Sequence, residues 1–331
     1  MFGVTRLPIH AHTNWCAAQP DWPSSRAITS WFTPIVPLGN TLLYQTLTIT
    51  YKCYNIITFR RAMSIIHKGY AAAPDGQIHY RQHHQVGGTP LVLLHQTASS
   101  GMMFEQLMAC LSDVYDTVAP DTPGFGASFS PFQPLTISYL AEALYVALTA
   151  LGITSCFLFG HHTGAAIAVQ MAFDHPAFVQ KMILSGPPLL NVAQVEALRA
   201  GLKPFALTSD GAHLTAVWQR IRERDSSLPL PVVQRETLLT QWAQSAAQET
   251  YEAVFRQPLA AQLATLTLPV LVMCGENDTL RTSLEPAFAL LQKGQKTIIP
   301  GAGPYICDQK PEVVAEIIKT FFCAEQAGVL S

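Results

Sequence analysis

The sequence predicts an α/β protein built on a mostly parallel sheet, with helices on both faces and a helical insertion. Three observations predict this fold class. From about residue 64 to 323, short apolar stretches of strand length alternate with longer stretches of helical period, which is typical of repeated β-α units. An Asp75-Gly76 hairpin signal opens this region. The alternation is interrupted once, at residues 188–262, where the sequence is helical only.

The strands are predicted from short apolar runs bounded by turn residues. Two strands flank the hairpin turn in SIIHKGYAAAPDGQIHYRQHH. Six more are predicted in TPLVLLHQ, YDTVAPD, TSCFLFG, KMILSG, LPVLVMCG and KTIIP. Because a run such as LVLL shows no alternation of apolar and polar residues, we expect central strands that are buried on both faces.

The helices are predicted from apolar residues that recur with a period of 3.6. The core helices correspond to SSGMMFEQLMACLSDV, ISYLAEALYVALTALGI, GAAIAVQMAF, EPAFALLQK and PEVVAEIIKTFF. In the insertion, one apolar stripe consists of His213, Leu214, Val217, Trp218 and Ile221. A helical insertion between strands commonly covers the carboxyl ends of the strands, where ligands bind. We therefore predict a cap with Trp218 near the ligand, although plain packing of the stripe explains it equally well.

The composition argues against several classes of function. A net charge of −2 gives no electrostatic attraction to nucleic acid or to an anionic membrane, and no apolar run approaches the roughly 20 residues of a spanning helix. The seven cysteines are scattered and contain no C-x-x-C pair, which disfavours a disulfide framework or a zinc site. We predict a cytoplasmic protein with a small-molecule substrate and with no cofactor or metal; the composition leaves the oligomeric state open.

Residues 1–62 differ from the rest of the chain because they show no sustained strand or helix period. We interpret them as a poorly patterned N-terminal extension, or as the result of a start assigned upstream of a true start at Met63. An organelle transit peptide is an alternative, but the amphipathic spacing of such peptides is absent. The predicted organisation is then a core formed by residues 63–187 and 263–331, with residues 188–262 as the cap.

Five segments resemble, in their order and spacing, the motifs of the α/β-hydrolase fold. They are LVLLHQTASS, APDTPGFGAS, FGHHTGAA, VLVMCGENDT and IPGAGPYICDQKPEVVAEIIKTFF. The resemblance covers about residues 67–323, and it points to the capped group that includes esterases, epoxide hydrolases and dehalogenases. It implies a nucleophile on a tight G-x-S-x-G turn, an acid after a later strand and a histidine before the last helix.

This chain departs from that pattern at two of the three positions. In GHHTG, His162 stands where the nucleophilic serine is expected, and in GAGP, Pro304 stands where the base is expected. Asp278 matches the position of the acid. A standard serine esterase is therefore not expected. The two glycines of GHHTG indicate that the tight turn is retained, whereas the alternative interpretation makes the histidine pair a capping or packing feature.

We hypothesise that the two departures compensate each other. The imidazole of His162 is longer than a serine side chain, and it would reach the position left by the base and form a hydrogen bond with Asp278. This pair would act as a general base on a hydrophobic carbonyl compound, in hydrolase, lyase or isomerase chemistry. By position, the main-chain N–H groups of Thr97 and Thr163 would form the oxyanion hole. The alternatives are an inactive pseudohydrolase that binds a ligand or partner, and a covalent role for His162.

Three more residues are candidates for the same site. Gln96 belongs to the predicted oxyanion loop, and His95 is expected to brace that loop more than to take part in chemistry. His161 is expected to diverge from His162, because neighbouring residues at a tight turn point apart. Together with Asp278, these histidines lack the spacing of metal ligands.

Overall fold

The computed structural model describes residues 65–202, 206–243 and 245–323. The predicted N-terminal extension and the alternative start at Met63 lie outside the described residues. Within them, eight strands and eleven α-helices form an α/β fold, as the sequence predicts.

The eight strands form one sheet with the order β1-β2-β4-β3-β5-β6-β7-β8. Strand β2 pairs antiparallel with β1 and β4, and the other neighbouring strands pair parallel. The strands are β1 (His67–Ala73), β2 (Gly76–His83), β3 (Thr89–Leu94), β4 (Tyr115–Pro120), β5 (Cys156–His161), β6 (Val179–Ser185), β7 (Val270–Gly275) and β8 (Gly294–Ile299). The prediction of a mostly parallel sheet that opens with a hairpin is confirmed.

The hairpin turn lies one residue earlier than Asp75-Gly76. Ala73 pairs with Gly76 across the two strands, so that Pro74 and Asp75 form the turn. The glycine has a different role, because a Cβ at position 76 would lie 2.5 Å from Cγ of Phe129. Close packing therefore requires this glycine.

Helices cover both faces of the sheet. They are α1 (Glu105–Leu111), α2 (Ile137–Ala150), α3 (Thr163–Asp174), α4 (Val192–Gly201), α5 (Ala212–Arg224), α6 (Leu230–Ala243), α7 (Ser245–Arg256), α8 (Leu259–Thr265), α9 (Leu284–Ala289), α10 (Ile306–Gln309) and α11 (Pro311–Cys323). One apolar cluster joins α2, α3 and α8 to alternate strand residues such as Val92. The other cluster joins α1 and α11 to the strand residues in between, such as Leu91. Adjacent residues of β3 therefore face opposite helical layers, as in a central strand.

The insertion between β6 and β7 is helical and contains α4 to α7. Helix α8 follows it, runs to Thr265, past the predicted limit at residue 262, and packs with α3 in the core. A small apolar cluster within the insertion includes Val217, Ile221 and Val233, and Tyr305 of the core joins this cluster. Of the predicted stripe on α5, Val217 and Ile221 are buried, whereas Leu214 is 42% exposed. Among the described residues, no helix combines the length and the apolar character needed to cross a membrane.

Candidate active site

The turn between β5 and α3 holds His162 in a backbone conformation that side chains rarely adopt. Its φ is 50° and its ψ is −110°, and it is the only non-glycine residue with a positive φ in the described part of the chain. Such a conformation costs about 1–3 kcal/mol and persists only where the surroundings enforce it. Here the N–H of His162 donates to the carbonyl oxygen of Ser185 at 2.8 Å. The imidazole is thereby presented at the carboxyl edge of the sheet.

Two glycines allow this turn to pack closely against the sheet. A Cβ at Gly160 would collide with the carbonyl oxygen of Gly164, and a Cβ at Gly164 would collide with the carbonyl oxygen of Leu94. Both contacts involve main-chain atoms, which cannot move away as a flexible side chain can. The requirement for small residues on either side of the turn agrees with the sequence prediction.

His162 and Asp278 form the hydrogen bond that the sequence predicts. Nε2 of His162 lies 2.9 Å from Oδ2 and 3.1 Å from Oδ1 of Asp278, and the N–H of Leu280 donates to Oδ1 at 2.8 Å. Burial disfavours the charge of Asp278, but His162 and the N–H of Leu280 outweigh burial and hold its pKa below the ordinary value. Because the carboxylate accepts, Nε2 carries the proton and Nδ1 of a neutral ring is the free acceptor.

Gly186 forms the wall behind this pair, and sequence reasoning missed it. A Cβ at Gly186 would lie 2.7 Å from Cδ2 of His162 and 3.2 Å from Oδ2 of Asp278. Its φ of 56° also favours glycine. The only signal in the sequence is that this glycine directly follows the apolar run of β6, at the same edge of the sheet.

His161 stacks on His162, so the expectation that the two rings diverge is wrong. The ring centroids are 4.1 Å apart and the planes are inclined by 25°. The positive φ of His162 accounts for the difference, because it turns the side chain away from the direction taken at an ordinary turn. His161 is buried, and its Nε2 lies 2.9 Å from the carbonyl oxygen of Pro304. Thus His161 forms a hydrogen bond with the residue that replaces the expected base.

Burial keeps the ring of His161 neutral, and its hydrogen-bond partners hold it in place. Nε2 donates to the carbonyl oxygen of Pro304, so Nδ1 accepts from the hydroxyl of Ser185 at 2.9 Å. Burial, and to a lesser extent the charge of His162, lower the pKa of His161 to about 3. The ring therefore supports His162 as an uncharged surface.

The predicted oxyanion loop lies beside the turn. Oγ1 of Thr97 donates to Oγ1 of Thr163 at 2.8 Å, which ties the loop to the first residue of α3. Within the described ranges, no protein acceptor is paired with the main-chain N–H of either threonine. The hydroxyl of Tyr251, from α7, donates to the carbonyl oxygen of Thr97 at 3.3 Å. This leaves two N–H donors available for an oxygen atom of a ligand.

His95 holds the base of this loop. The N–H of Thr122 donates to Nε2 of His95 at 2.9 Å, so Nδ1 carries the proton and donates to the carbonyl oxygen of Gln96 at 2.8 Å. Burial lowers the pKa of His95, which favours the neutral ring. These contacts suit the predicted bracing role. In the described part of the chain, no group of three or more histidine, cysteine, aspartate or glutamate residues is arranged to hold a metal ion.

A cavity of about 380 Å³ lies between the oxyanion loop and the insertion helices. Its apolar wall includes Leu198, Leu202, Leu207 and Ile221, and its polar wall includes Gln96, Thr97, Arg220, Arg224, Glu236, Tyr251 and Tyr305. The wall thus carries more charge than the sequence predicted. Trp218 is not among the described residues that line the cavity; it packs against the small apolar cluster of the insertion. A contact between Trp218 and a ligand stays a prediction.

A buried polar network joins the insertion to the core, and the sequence did not indicate it. Oγ of Ser99 donates to Oε1 of Glu236 at 2.9 Å. Arg235 lies 2.7 Å from Glu236 and 2.8 Å from Asp308. Burial raises the pKa of Glu236 although Arg235 opposes this shift. The network anchors α6 beside the cavity.

Comparison with known proteins decides the family. A family model described as the alpha/beta hydrolase fold matches residues 89–311. The chain belongs to the alpha/beta hydrolase fold family. The order of the strands and the position of the insertion helices agree with this assignment.

The relatives include hydrolases of small molecules. The chain is 27% identical over 252 residues to 2-(acetamidomethylene)succinate hydrolase of Mesorhizobium japonicum, covering 72% of this chain and 90% of that protein. It is 26% identical over 234 residues to 3-oxoadipate enol-lactonase 2 of Acinetobacter baylyi, covering 68% and 85% respectively. The crystal structure of E-2-(acetamidomethylene)succinate hydrolase matches with a TM-score of 0.66 and 22% identity, covering 78% of this chain and 100% of that one. This structural likeness shows the shared fold.

Proposed function

We propose that this member of the family is an enzyme in which His162 and Asp278 form a general base for a small to medium-sized, largely apolar carbonyl compound. The observation that carries the proposal is the 2.9 Å contact between Nε2 of His162 and Oδ2 of Asp278, formed by a residue in a strained turn beside two available N–H donors. Residues 188–262 act as the cap that closes the cavity beside the oxyanion loop, and this loop is tied through Thr97 to Thr163, the residue that follows His162.

In this mechanism Nδ1 of His162 takes the proton. Asp278 holds Nε2–H and stabilises the imidazolium that forms when Nδ1 accepts a proton from water or from a carbon next to the carbonyl group. The carbonyl oxygen of the substrate then gains negative charge, and the N–H groups of Thr97 and Thr163 donate to it. No hydroxyl nucleophile is needed. The arrangement supports hydrolysis through activated water, as well as lyase or isomerase chemistry.

The second candidate is a pseudohydrolase that keeps the cavity for binding. The observation in its favour is that the ring of His161 contacts the carbonyl oxygen of Pro304, in the region where the family places its base. Covalent catalysis by His162 is less well supported, because the contact with Asp278 engages Nε2 and suits proton transfer better.

Screening of turnover separates these candidates. Wild type, His162→Ala and Asp278→Asn are assayed against panels of small esters, lactones, amides and β-dicarbonyl compounds. His84→Ala serves as the matched control. The His84 side chain is 64% exposed, and the residue follows β2, which lies three strands away from β5 in the sheet. The proposal expects turnover in wild type and in the control, and a loss of at least about 100-fold, the usual contribution of a general base, in the other two variants.

Turnover that survives His162→Ala refutes the proposed base. A compound that raises the melting temperature of wild type but is not converted supports the pseudohydrolase. A stable adduct on His162, located by mass spectrometry, supports covalent catalysis instead.

A further inference from the structure

Helix α5 presents two arginines to the cavity. Arg220 and Arg224 are four residues apart, so they lie on the same face of the helix, and both line the cavity. Like charges at this spacing destabilise a helix. Burial and, after it, the charge of Arg224 lower the pKa of Arg220. A wall of this kind suits an anion.

Arg224 is the arginine of this pair whose surroundings bear on ligand binding. Its near neighbours on the cavity side are the hydroxyl groups of Tyr305 and Tyr251 and the carboxylate of Asp278. The Asp278 carboxylate already accepts from His162 and from Leu280. Within the described residues, no carboxylate forms an ion pair with Arg224. Its guanidinium hydrogen-bonds the hydroxyl of Tyr305, and its other N–H groups can donate to a ligand.

The second acid on the wall is occupied as well. Glu236 contacts Arg235 at 2.7 Å and accepts from Ser99 at 2.9 Å. The charge of Glu236 is thus balanced by a residue that does not line the cavity, whereas Arg220 and Arg224 both do. Glu236 therefore does not balance the charge of Arg224 on the α5 side of the cavity.

We propose that the cavity binds a small organic carboxylate, with the guanidinium of Arg224 as its main contact. This proposal rests on the proposed function and extends it. The substrate is then a carbonyl compound that also carries a carboxylate. Its carbonyl oxygen lies at the N–H groups of Thr97 and Thr163, and its carboxylate lies at α5, because Thr97 and Arg224 both line this one cavity and Thr163 contacts Thr97.

The chemistry of the wall favours a carboxylate over other anions. A planar guanidinium donates two parallel hydrogen bonds to a carboxylate, and this pairing is stronger than that of neutral groups. The hydroxyl of Tyr305 adds a donor next to Arg224, whereas that of Tyr251 already donates to Thr97. Leu198, Leu202 and Leu207 also line the cavity, and their apolar surface suits the carbon skeleton of an organic acid and offers nothing to a hydrated inorganic ion.

Binding experiments with matched probes test this site without reference to turnover. The probe pairs are hexanoate with hexanamide and benzoate with benzamide, which differ in charge and little in shape, and inorganic phosphate is the third kind of probe. Affinities are measured by calorimetry on wild type, Arg224→Gln and Arg224→Lys. Arg222→Gln is the control, because Arg222 lies on the same helix and donates to the carbonyl oxygen of Leu228 at 3.0 Å.

We expect wild type to bind at least one carboxylate about tenfold or more tightly than its amide, a difference well within that of a charged hydrogen-bonded pair. Arg224→Gln removes this preference, Arg224→Lys retains part of it, and Arg222→Gln leaves it unchanged. These binding measurements need no turnover, so a wild type that prefers carboxylates but converts none of the assayed compounds shows a failure of the proposed chemistry and not of the anion site.

Three results overturn the proposal. They are equal binding of carboxylate and amide to wild type, an unchanged preference in Arg224→Gln, and the absence of binding by every carboxylate tested. Phosphate that binds as tightly as the best carboxylate overturns the assignment of the ligand class. If Arg224→Gln does not fold, an Arg224→Lys variant with the full wild-type preference counts against the specific guanidinium contact.

Discussion

The buried imidazole of His161 links folding to pH, and its replacement by glutamine makes that link measurable. In the folded chain its pKa is lowered to about 3 from an ordinary value of 6.5, first because burial disfavours the imidazolium. Between these two pH values the unfolded chain therefore binds one more proton than the folded chain. Acidification through this window favours unfolding, and stability is recovered as the pH rises to 6.5 and above.

The size of the effect follows from the two pKa values. Well below pH 6.5, one proton contributes a slope of about 1.4 kcal/mol per pH unit. Integrated from pH 7 to pH 5, His161 alone removes about 2 kcal/mol from the free energy of unfolding. Glutamine can still hydrogen-bond near Ser185 and Pro304, but it does not titrate. Between pH 7 and pH 5, the stability of His161→Gln should therefore fall by about 2 kcal/mol less than that of wild type.

Urea denaturation at pH 7, 6 and 5 provides the measurement. Phe159→Leu is the control, since Phe159 is fully buried in the same strand and its truncation costs about 1–2 kcal/mol without changing a titratable group. We expect the curve of stability against pH for this control to run parallel to that of wild type. A His161→Gln curve that also runs parallel to wild type refutes a neutral, buried His161.

Three more perturbations are predicted. Gly186→Ala places a Cβ 2.7 Å from the ring of His162, and its backbone conformation costs a non-glycine residue about 1–2 kcal/mol. Turnover should therefore fall at least tenfold. An unchanged kcat would contradict the role of the His162–Asp278 pair. Arg235→Gln leaves Glu236 without its charged partner, so the free energy of unfolding, measured by urea denaturation, should fall by about 3–5 kcal/mol. Adding Glu236→Gln should restore part of this stability. A fall of less than about 1 kcal/mol counts against the network. The pKa of Asp278 is depressed, so its stabilisation of the fold is present above about pH 4 and is lost on further acidification. The stability difference between wild type and Asp278→Asn should therefore shrink below that pH; a constant difference argues against the depressed pKa.

The sequence predicted those features that depend on local pattern. Apolar runs and helical periods located all eight strands, the helical character of the insertion and, within it, the apolar stripe of α5. The spacing of the glycines around His162 located the strained turn, because close main-chain contacts at Gly160 and Gly164 permit no larger residue. The contact with Asp278 was also predictable, since the carboxyl ends of β5 and β7 meet at one edge of a parallel sheet.

Other features depend on contacts through space and left no local signal. The stacking of His161 on His162 follows from a positive φ that a residue type does not reveal. Gly186 looks like an ordinary turn glycine until the neighbouring strands bring the dyad against it. On α5, the apolar stripe drew attention to Trp218, whereas Arg220 and Arg224 on another part of the same helix line the cavity.

The helices on the two sides of the cavity are anchored to the rest of the fold by very different contacts. Helix α6 is anchored through Ser99, Glu236 and Arg235 in buried contacts. Helix α4 contributes Leu198 and Gly201 to the wall, yet none of its residues is buried, and its connection to α7 is an exposed ion pair between Arg199 and Glu252.

Local opening begins where few apolar groups are buried. We therefore expect the amide protons of α4 to exchange with solvent well before those of α6. Ligands would then pass through a gap made by α4 while α6 stays in place, so the rate of ligand exchange would be set by one poorly anchored helix and not by movement of the whole insertion.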